Sequence, residues 1–386
     1  MGGRHRPRAV PVVEGLARCR VRRQLEAAAA VAGSGGAQAA GCRRRWSMTP
    51  LFWVGVVLFG VAPALLVAEV LRCIYLEHRR DRIPILLYHR LISGEAARAG
   101  RVRDDEPIYA CYDDVFAEQM RYLHEAGYTT LNMDDYAAVR SGRARRPDKP
   151  VAVTFDDGYE SNYTMAFQSL RRFGQKATIY VAPEPDEHTR RLVAGIDGFL
   201  SPEQMRELDA GGVAIESHTL THCILSELPD DAARFELEES KRRLSEIVGR
   251  PIRHLAVPRA GYSRRIRRLA EAAGYQTVCC NNKGSSTGWS DPLALPRIVV
   301  ERDMTVEDFA RLLRPRAAIV LRLIGNMKRI PERLLGPSAA RRIRVWLYDG
   351  PLGGLFIMRR LKVAVAVAAA LYALGCVVFY WRMLAA

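Results

Sequence analysis

The chain has 386 residues, 49% of them hydrophobic, and carries 58 basic against 42 acidic side chains, a formal net charge of +16 at pH 7. The length accommodates one large domain, or two ordinary ones, plus appendages. The positive surplus comes almost wholly from arginine, and suits nucleic acid or anionic lipid. With no zinc finger, RNP-type motif or basic stripe interleaved with aromatics, lipid and membrane topology explain the charge better and no nucleic-acid partner is expected.

Residues 1–47 are rich in Arg, Ala and Gly and sustain no hydrophobic period, so a disordered basic tail is expected there, with Met48 as an alternative start of translation. Leu51–Leu71 is long enough to cross a bilayer, with Pro63 inside it and Glu69 near its far end, and a transmembrane helix is expected within 48–76. Near the other terminus Val363–Trp381 is uncharged and ends in aromatics, which predicts a second span within 361–382. The basic tail favours a cytoplasmic N-terminus, placing the region between the spans on the periplasmic side of a bacterial inner membrane. Arg341, Arg342 and Arg344 crowd the entrance to the second span and pull the other way. The eight cysteines show no CxxC pair and no regular spacing, so no disulfide framework is expected.

Between the spans, short apolar runs alternate with helical patterns. Ile83–His89 reads as a strand with Tyr88 and His89 at its mouth, followed by a helix over Tyr112–Gly127 and a strand over Tyr128–Leu131. Val151–Phe155 is a strand stopped by Asp156-Asp157-Gly158, with a helix after it around Thr164–Phe173. Strands then follow at Ala177–Val181, Val213–Glu216, His254–Val257, Gln276–Cys280 and Leu295–Val299. Between them lie helices at Pro202–Asp209 (capped by Ser201), Phe235–Val248 and Arg264–Ala273. This alternation predicts a (β/α) barrel over 83–303. Residues 304–358 are basic and helical, with Ala317–Ile324 and Trp346–Met358 too short to span and suited to a membrane interface.

Asp156 and Asp157 stand side by side at a strand mouth, where they repel unless a cation, a proton or hydrogen bonds offset them. Taken alone, such a turn is also an ordinary solvated loop. His218 and His222 are spaced i,i+4, which on a helical turn points both rings the same way. With one carboxylate they make a two-histidine-one-carboxylate set suited to zinc or a similar divalent ion. Many HxxxH pairs are surface histidines, but both patterns at strand mouths of one repeating chain point to a single site.

The stretch TFDDGY at Thr154–Tyr159, together with SHTLTH at Ser217–His222, resembles the signature of the polysaccharide deacetylases (NodB homology, carbohydrate esterase family 4), over about Ile83–Val300. ILLYHRL near the domain start, AVPRAGYS at Ala256–Ser263 and DPLALPRI at Asp291–Ile298 are similar to the branch that deacetylates poly-N-acetylglucosamine, in which the barrel elements are circularly permuted. The resemblance implies a distorted (β/α) barrel of NodB type, flanked here by two transmembrane helices. It implies metal-dependent removal of acetyl groups from an N-acetylated polysaccharide or a lipid-linked sugar. It further implies that Asp157, His218 and His222 hold a divalent metal, zinc ahead of cobalt, nickel or manganese. Asp156 would be the general base, Arg297 its ion-pair partner, and His89 the acid that protonates the departing amine. Pro258, Arg259 and Tyr262 would line the substrate and oxyanion side, with Arg259 and Ala260 standing where the family often has Tyr and Gly. Two other readings compete. A metal-free glycan-binding or scaffold protein of the same fold is opposed by the complete acid–acid–His–His set. A glycoside hydrolase is opposed by the adjacency of its two carboxylates. Trp289 reads as a sugar-stacking side chain or a cover over the core, and Asp291 as a turn cap or a site contact.

Overall fold

A computed structural model describes residues 50–99, 110–302 and 304–328. The basic tail, the apolar segment at 361–382 and the stretch from 329 to 358 lie outside the described residues. The strands among the described residues are β1 (Ile85–Tyr88), β2 (Leu91–Ile92), β3 (Cys111–Tyr112), β4 (Thr129–Leu131), β5 (Pro150–Phe155), β6 (Ala177–Val181), β7 (Val213–Ser217), β8 (His254–Ala256), β9 (Thr277–Lys283) and β10 (Leu295–Val299). Because β1 pairs in parallel with both β5 and β10, the strands β1, β5, β6, β7, β8, β9 and β10 close into a parallel barrel. The short β4 pairs with the first half of β5, and β6 takes the second half. β2 and β3 form a separate parallel pair.

Alternation along each strand builds two apolar layers. Leu86, Val151, Val153, Phe155, Ile179, Ile215 and Ile298 face the surrounding helices. Ile85, Ala152, Tyr180, Ala256, Cys279 and Leu295 fill the lumen. With both faces buried, β1 and β5 read in the sequence as unbroken apolar runs.

The helices follow local signals with some shifts. Ser201 and Gln204 form a full capping box on Pro202–Ala210. The helix expected from Phe235 starts five residues earlier, at Asp230, where Asp230 and Asp231 complement the helix N-terminus, and it ends at left-handed Gly249. The helix Met133–Arg140 was not legible as one, because only Met133 and Tyr136 are buried along its eight residues. Asn132 caps it by accepting from the Asp135 amide.

The helix Trp53–Glu77 is long and apolar enough to cross a membrane. Leu65, Val67, Leu71 and Ile74 are among its exposed apolar side chains. Ahead of Pro63 its ladder relaxes into a π turn, with the Ala62 amide donating to the Val57 carbonyl. Residues 78–84 carry the chain from this helix into the N-terminal end of β1. The helix packs against Pro315–Lys328 through Asn326, which donates to Glu69 at 2.6 Å, and through Arg322, which donates to buried Glu77 at 2.8 Å.

Part of the barrel interior is polar. Glu216 accepts from Arg250 at 2.8 Å and from the backbone amides of Arg253 and His254 at 2.8 and 2.7 Å. His254 Nε2 lies 3.3 Å from Asp134 Oδ1. That hydrogen bond outweighs burial and lowers the pKa of Asp134 to about 2. A carboxyl with a lower pKa in the folded than in the unfolded chain adds stability above about pH 4 and loses it as pH falls toward about 2. The variant Asp134→Asn is therefore expected to show a smaller drop in Tm between about pH 5 and pH 2.5 than the parent, read by circular dichroism. An equal drop would remove Asp134 from the acid response.

Candidate active site

β5 is buried throughout and stops where Asp156-Asp157-Gly158 turns away from it. Asp157 and Gly158 both have left-handed backbone, φ 73° and 72°, so the two neighbouring carboxylates leave the strand toward different partners. A Cβ on Gly158 would sit 3.0 Å from both Cγ atoms of Val181, so backbone and space both demand glycine. Among the described residues, the non-glycine positions with positive φ are Asp157, Thr219, His222 and Arg259, each at or just beyond the C-terminal end of β5, β7 or β8. Strain collected at one end of a barrel marks a place where geometry is held against local preference.

Asp156 meets Arg297 from β10 in a two-pronged ion pair, with Nη1 and Nη2 donating to its two oxygens at 2.6 and 2.7 Å. Both side chains are almost fully buried. Burial alone would raise the pKa of Asp156, but the Arg297 charge and hydrogen bonds, together with the nearby His218 and His89, outweigh it and hold the acid below the usual carboxylate range.

Asp157 turns to the histidines. Its Oδ1 lies 3.3 Å from His218 Nε2 and 3.1 Å from His222 Nε2. Burial works against its charge, and the hydrogen bonds from both rings overcome this and hold it well below the ordinary range. For His218, burial pulls the pKa down while Asp156 and Asp157 pull it up, and the carboxylates win. The helical turn expected to align the two histidines is absent. Residues 218–222 form an irregular loop, and positive φ at Thr219 and His222 brings the rings to 5.2 Å between centroids. Glu236, buried on the helix Asp230–Val248, pins this loop by accepting from the amides of Leu220 and Thr221 at 2.9 Å and from the Thr221 hydroxyl at 2.7 Å.

The outer nitrogens decide what the rings can do. His218 Nδ1 donates to the Ala256 carbonyl at 2.8 Å, since a carbonyl can only accept. With the ring protonated Nε2 donates to Asp157, and once that proton is lost the Nε2 lone pair is free for a cation. His222 Nδ1 lies 3.1 Å from the Thr189 hydroxyl, which also accepts from Arg259 at 3.1 Å. The three inner atoms lie within 4.8 Å of one another. Two nitrogens and one carboxylate oxygen, aimed inward by committed outer nitrogens, fit a divalent cation. A second group with similar side chains, Asp134, Glu216 and His254, does not fit as well, because Glu216 is already spent on Arg250 and two backbone amides.

Of the remaining expected residues, His89 and Arg259 adjoin this centre and Tyr262 is tied elsewhere. His89 follows the last residue of β1, and its carbonyl accepts from Asn162 at 2.8 Å. Desolvation holds its imidazole below the ordinary histidine range, against the upward pull of Asp157 and Asp156. Pro258 opens a short turn in which Arg259 is left-handed, φ 48°, and the Arg259 side chain reaches Thr189 rather than Asp156 or Asp157. Tyr262 donates its hydroxyl to the Leu293 carbonyl at 2.6 Å. Asp291 caps the turn at Pro292 by accepting from the Leu293 amide and pairs with Arg267 at 2.6 Å. Tyr159 stacks on Phe199 with centroids 5.7 Å apart, and burial first, with Asp157 beside it, raises the pKa of its phenol. Thr189, Glu236 and Phe199 were not singled out in the sequence, because each lies many residues from the motif it serves and belongs to no motif itself.

Residues 143–278 match the family model described as polysaccharide deacetylase. The chain is 28% identical over 228 residues to YxkH of Bacillus subtilis, whose name assigns it provisionally to the polysaccharide deacetylases; the match covers 59% of this chain and 75% of that one. It is 33% identical over 69 residues to the poly-beta-1,6-N-acetyl-D-glucosamine N-deacetylase of Escherichia coli, covering 18% of this chain and 10% of the relative. Among solved structures, the deacetylase PplD of Streptococcus pyogenes, in complex with acetate, superposes with a TM-score of 0.54 at 24% identity, covering 61% of this chain and all of that one.

Thr189 carries a direct prediction. Thr189→Val removes the acceptor behind His222 and is expected to weaken zinc affinity roughly 10- to 100-fold in a competition titration, with Thr189→Ser near the parent. Unchanged affinity in the valine variant would show that His222 is oriented by something else.

Proposed function

Because the chain carries a polysaccharide deacetylase domain, a hydrolase of carbon–nitrogen bonds, we propose that it is a membrane-anchored, metal-dependent N-deacetylase of an N-acetylated polysaccharide. The observation that supports this most is the meeting of two chemically different carboxylates at one strand end. Asp156 is tied to an arginine, and Asp157 is tied to two histidines. Asp157, His218 and His222 would hold the cation, with zinc the first candidate for this nitrogen-and-oxygen set. Bound there, it supplies Lewis acidity to the acetamido carbonyl and makes a water acidic at neutral pH.

The chain's own groups do the rest. Asp156, kept ionised by Arg297, takes a proton from the attacking water as its oxygen bonds to the acetyl carbon. The carbon–nitrogen bond then breaks, acetate leaves, and His89 delivers a proton to the amine. A histidine with a depressed pKa is a stronger acid once protonated, which suits that delivery. Pro258 has no amide hydrogen, so the N–H of Arg259 is the donor nearest in sequence for the tetrahedral oxygen. The stacked Tyr159 and Phe199 offer an aromatic wall for a sugar ring.

Poly-N-acetylglucosamine is the substrate class we favour, by the name of the Escherichia coli relative. A lipid-linked N-acetyl sugar is the second. We place the barrel on the periplasmic side of a bacterial inner membrane, on the strength of the apolar helix Trp53–Glu77 and the arginines that precede it. The test is release of acetate and free amine from N-acetylglucosamine oligomers by the detergent-purified full chain. Equimolar products, lost with chelator and restored by added zinc, are expected. Chelator-insensitive release, or new reducing ends without acetate, would contradict the reading.

A further inference from the structure

A cavity of about 250 Å3 lies between the apolar helix, the helix Pro315–Lys328 and the β9–β10 connection, lined by Arg72, Lys283, Trp289, Arg322 and Asn326 among others. It shares no residue with the metal-ligand cluster. We propose that it holds the headgroup of an anionic phospholipid. This rests on the reading of Trp53–Glu77 as a membrane span.

Charge is the first argument. Arg72 and Glu69 satisfy each other through two hydrogen bonds of 2.7 Å. Glu77, fully buried, is shared by two arginines: Arg82 at 2.9 Å and Arg322 at 2.6 Å. Two cations on one anion leave a positive surplus, and Lys283 lines the same cavity. Asp291, the acid in the lining, is engaged by Arg267. The cavity therefore selects an anion.

Position is the second. At the C-terminal end of the apolar helix, Tyr75 and Trp289 meet edge to face at 6.1 Å, and the Arg79 guanidinium lies 5.5 and 5.3 Å from their rings. Trp289 is 71% exposed. Aromatic rings with arginine at the end of an apolar span mark the headgroup layer, so the cavity that Trp289 lines opens at that depth. Val320, Ile324 and Met327 on the second helix are exposed and apolar at spacings of four and three. With Leu65, Leu71 and Ile74 of the first helix they give acyl chains an apolar surface beside the cationic cavity. A free anion needs the charges alone, whereas a lipid uses both features.

The test is native mass spectrometry of the detergent-purified full chain titrated with dioleoyl phosphatidylglycerol or dioleoyl phosphatidylcholine, with inorganic phosphate as the soluble arm. Retention of phosphatidylglycerol over phosphatidylcholine is expected, with Lys283→Gln lowering that affinity about fivefold, the share of one cation at a membrane surface. Trp289→Ala should also weaken it. Equal retention of the two lipids, no loss in either variant, or phosphate competing at the same concentration as phosphatidylglycerol would overturn the proposal. Carbonate extraction of native membranes reads the span separately: a chain that washes off refutes the span, and one that stays without lipid preference refutes only the headgroup site.

Discussion

Two carboxylates on consecutive residues cannot both stay ionised in a buried strand mouth unless each has its own counter-charge, and the barrel is arranged around meeting that demand. Asp156 is closed off by the Arg297 fork, which comes from a strand two places away around the ring. Asp157 is swung to the other side by its left-handed backbone and meets the rings that β7 delivers. The division depends on closure. If β1 did not bridge β5 and β10, Arg297 would not reach Asp156, and a bare buried acid would take up a proton instead.

The parts of the fold that were legible are those whose signal is local. Buried parallel strands announce themselves as apolar runs, and β1, β5, β6 and β10 were read within a residue or two of their ends. Ser201 and Gln204 announce a helix start. The barrel was legible as an alternation, but not how β4 shares β5 with β6, since strand pairing is set by contacts between distant segments. The helix Met133–Arg140 escaped because its buried face is two residues wide.

The site was legible in its motifs and not in its supports. Asp156, Asp157, His218 and His222 stood out as residue types at strand ends, Arg297 was implied by the family resemblance alone, and the structure brings all five together. The reason given for the histidine pair was wrong in kind: a left-handed loop held by Glu236, not a helical turn, aligns the rings. Thr189 carries no sequence signal because a hydroxyl in a short helix has many uses, and only its place between His222 and Arg259 gives it one. Trp289, open in the sequence to a sugar or a core role, packs instead on Tyr75 and Arg79 where the apolar helix ends.

The central claim is that the two neighbouring acids do different work, and it is tested by measuring metal content and acetate release in Asp156→Asn and Asp157→Ala side by side. The account predicts that Asp156→Asn keeps its full complement of metal and releases no acetate, while Asp157→Ala loses both. Loss of metal from the asparagine variant, or metal retained by the alanine variant, would contradict it.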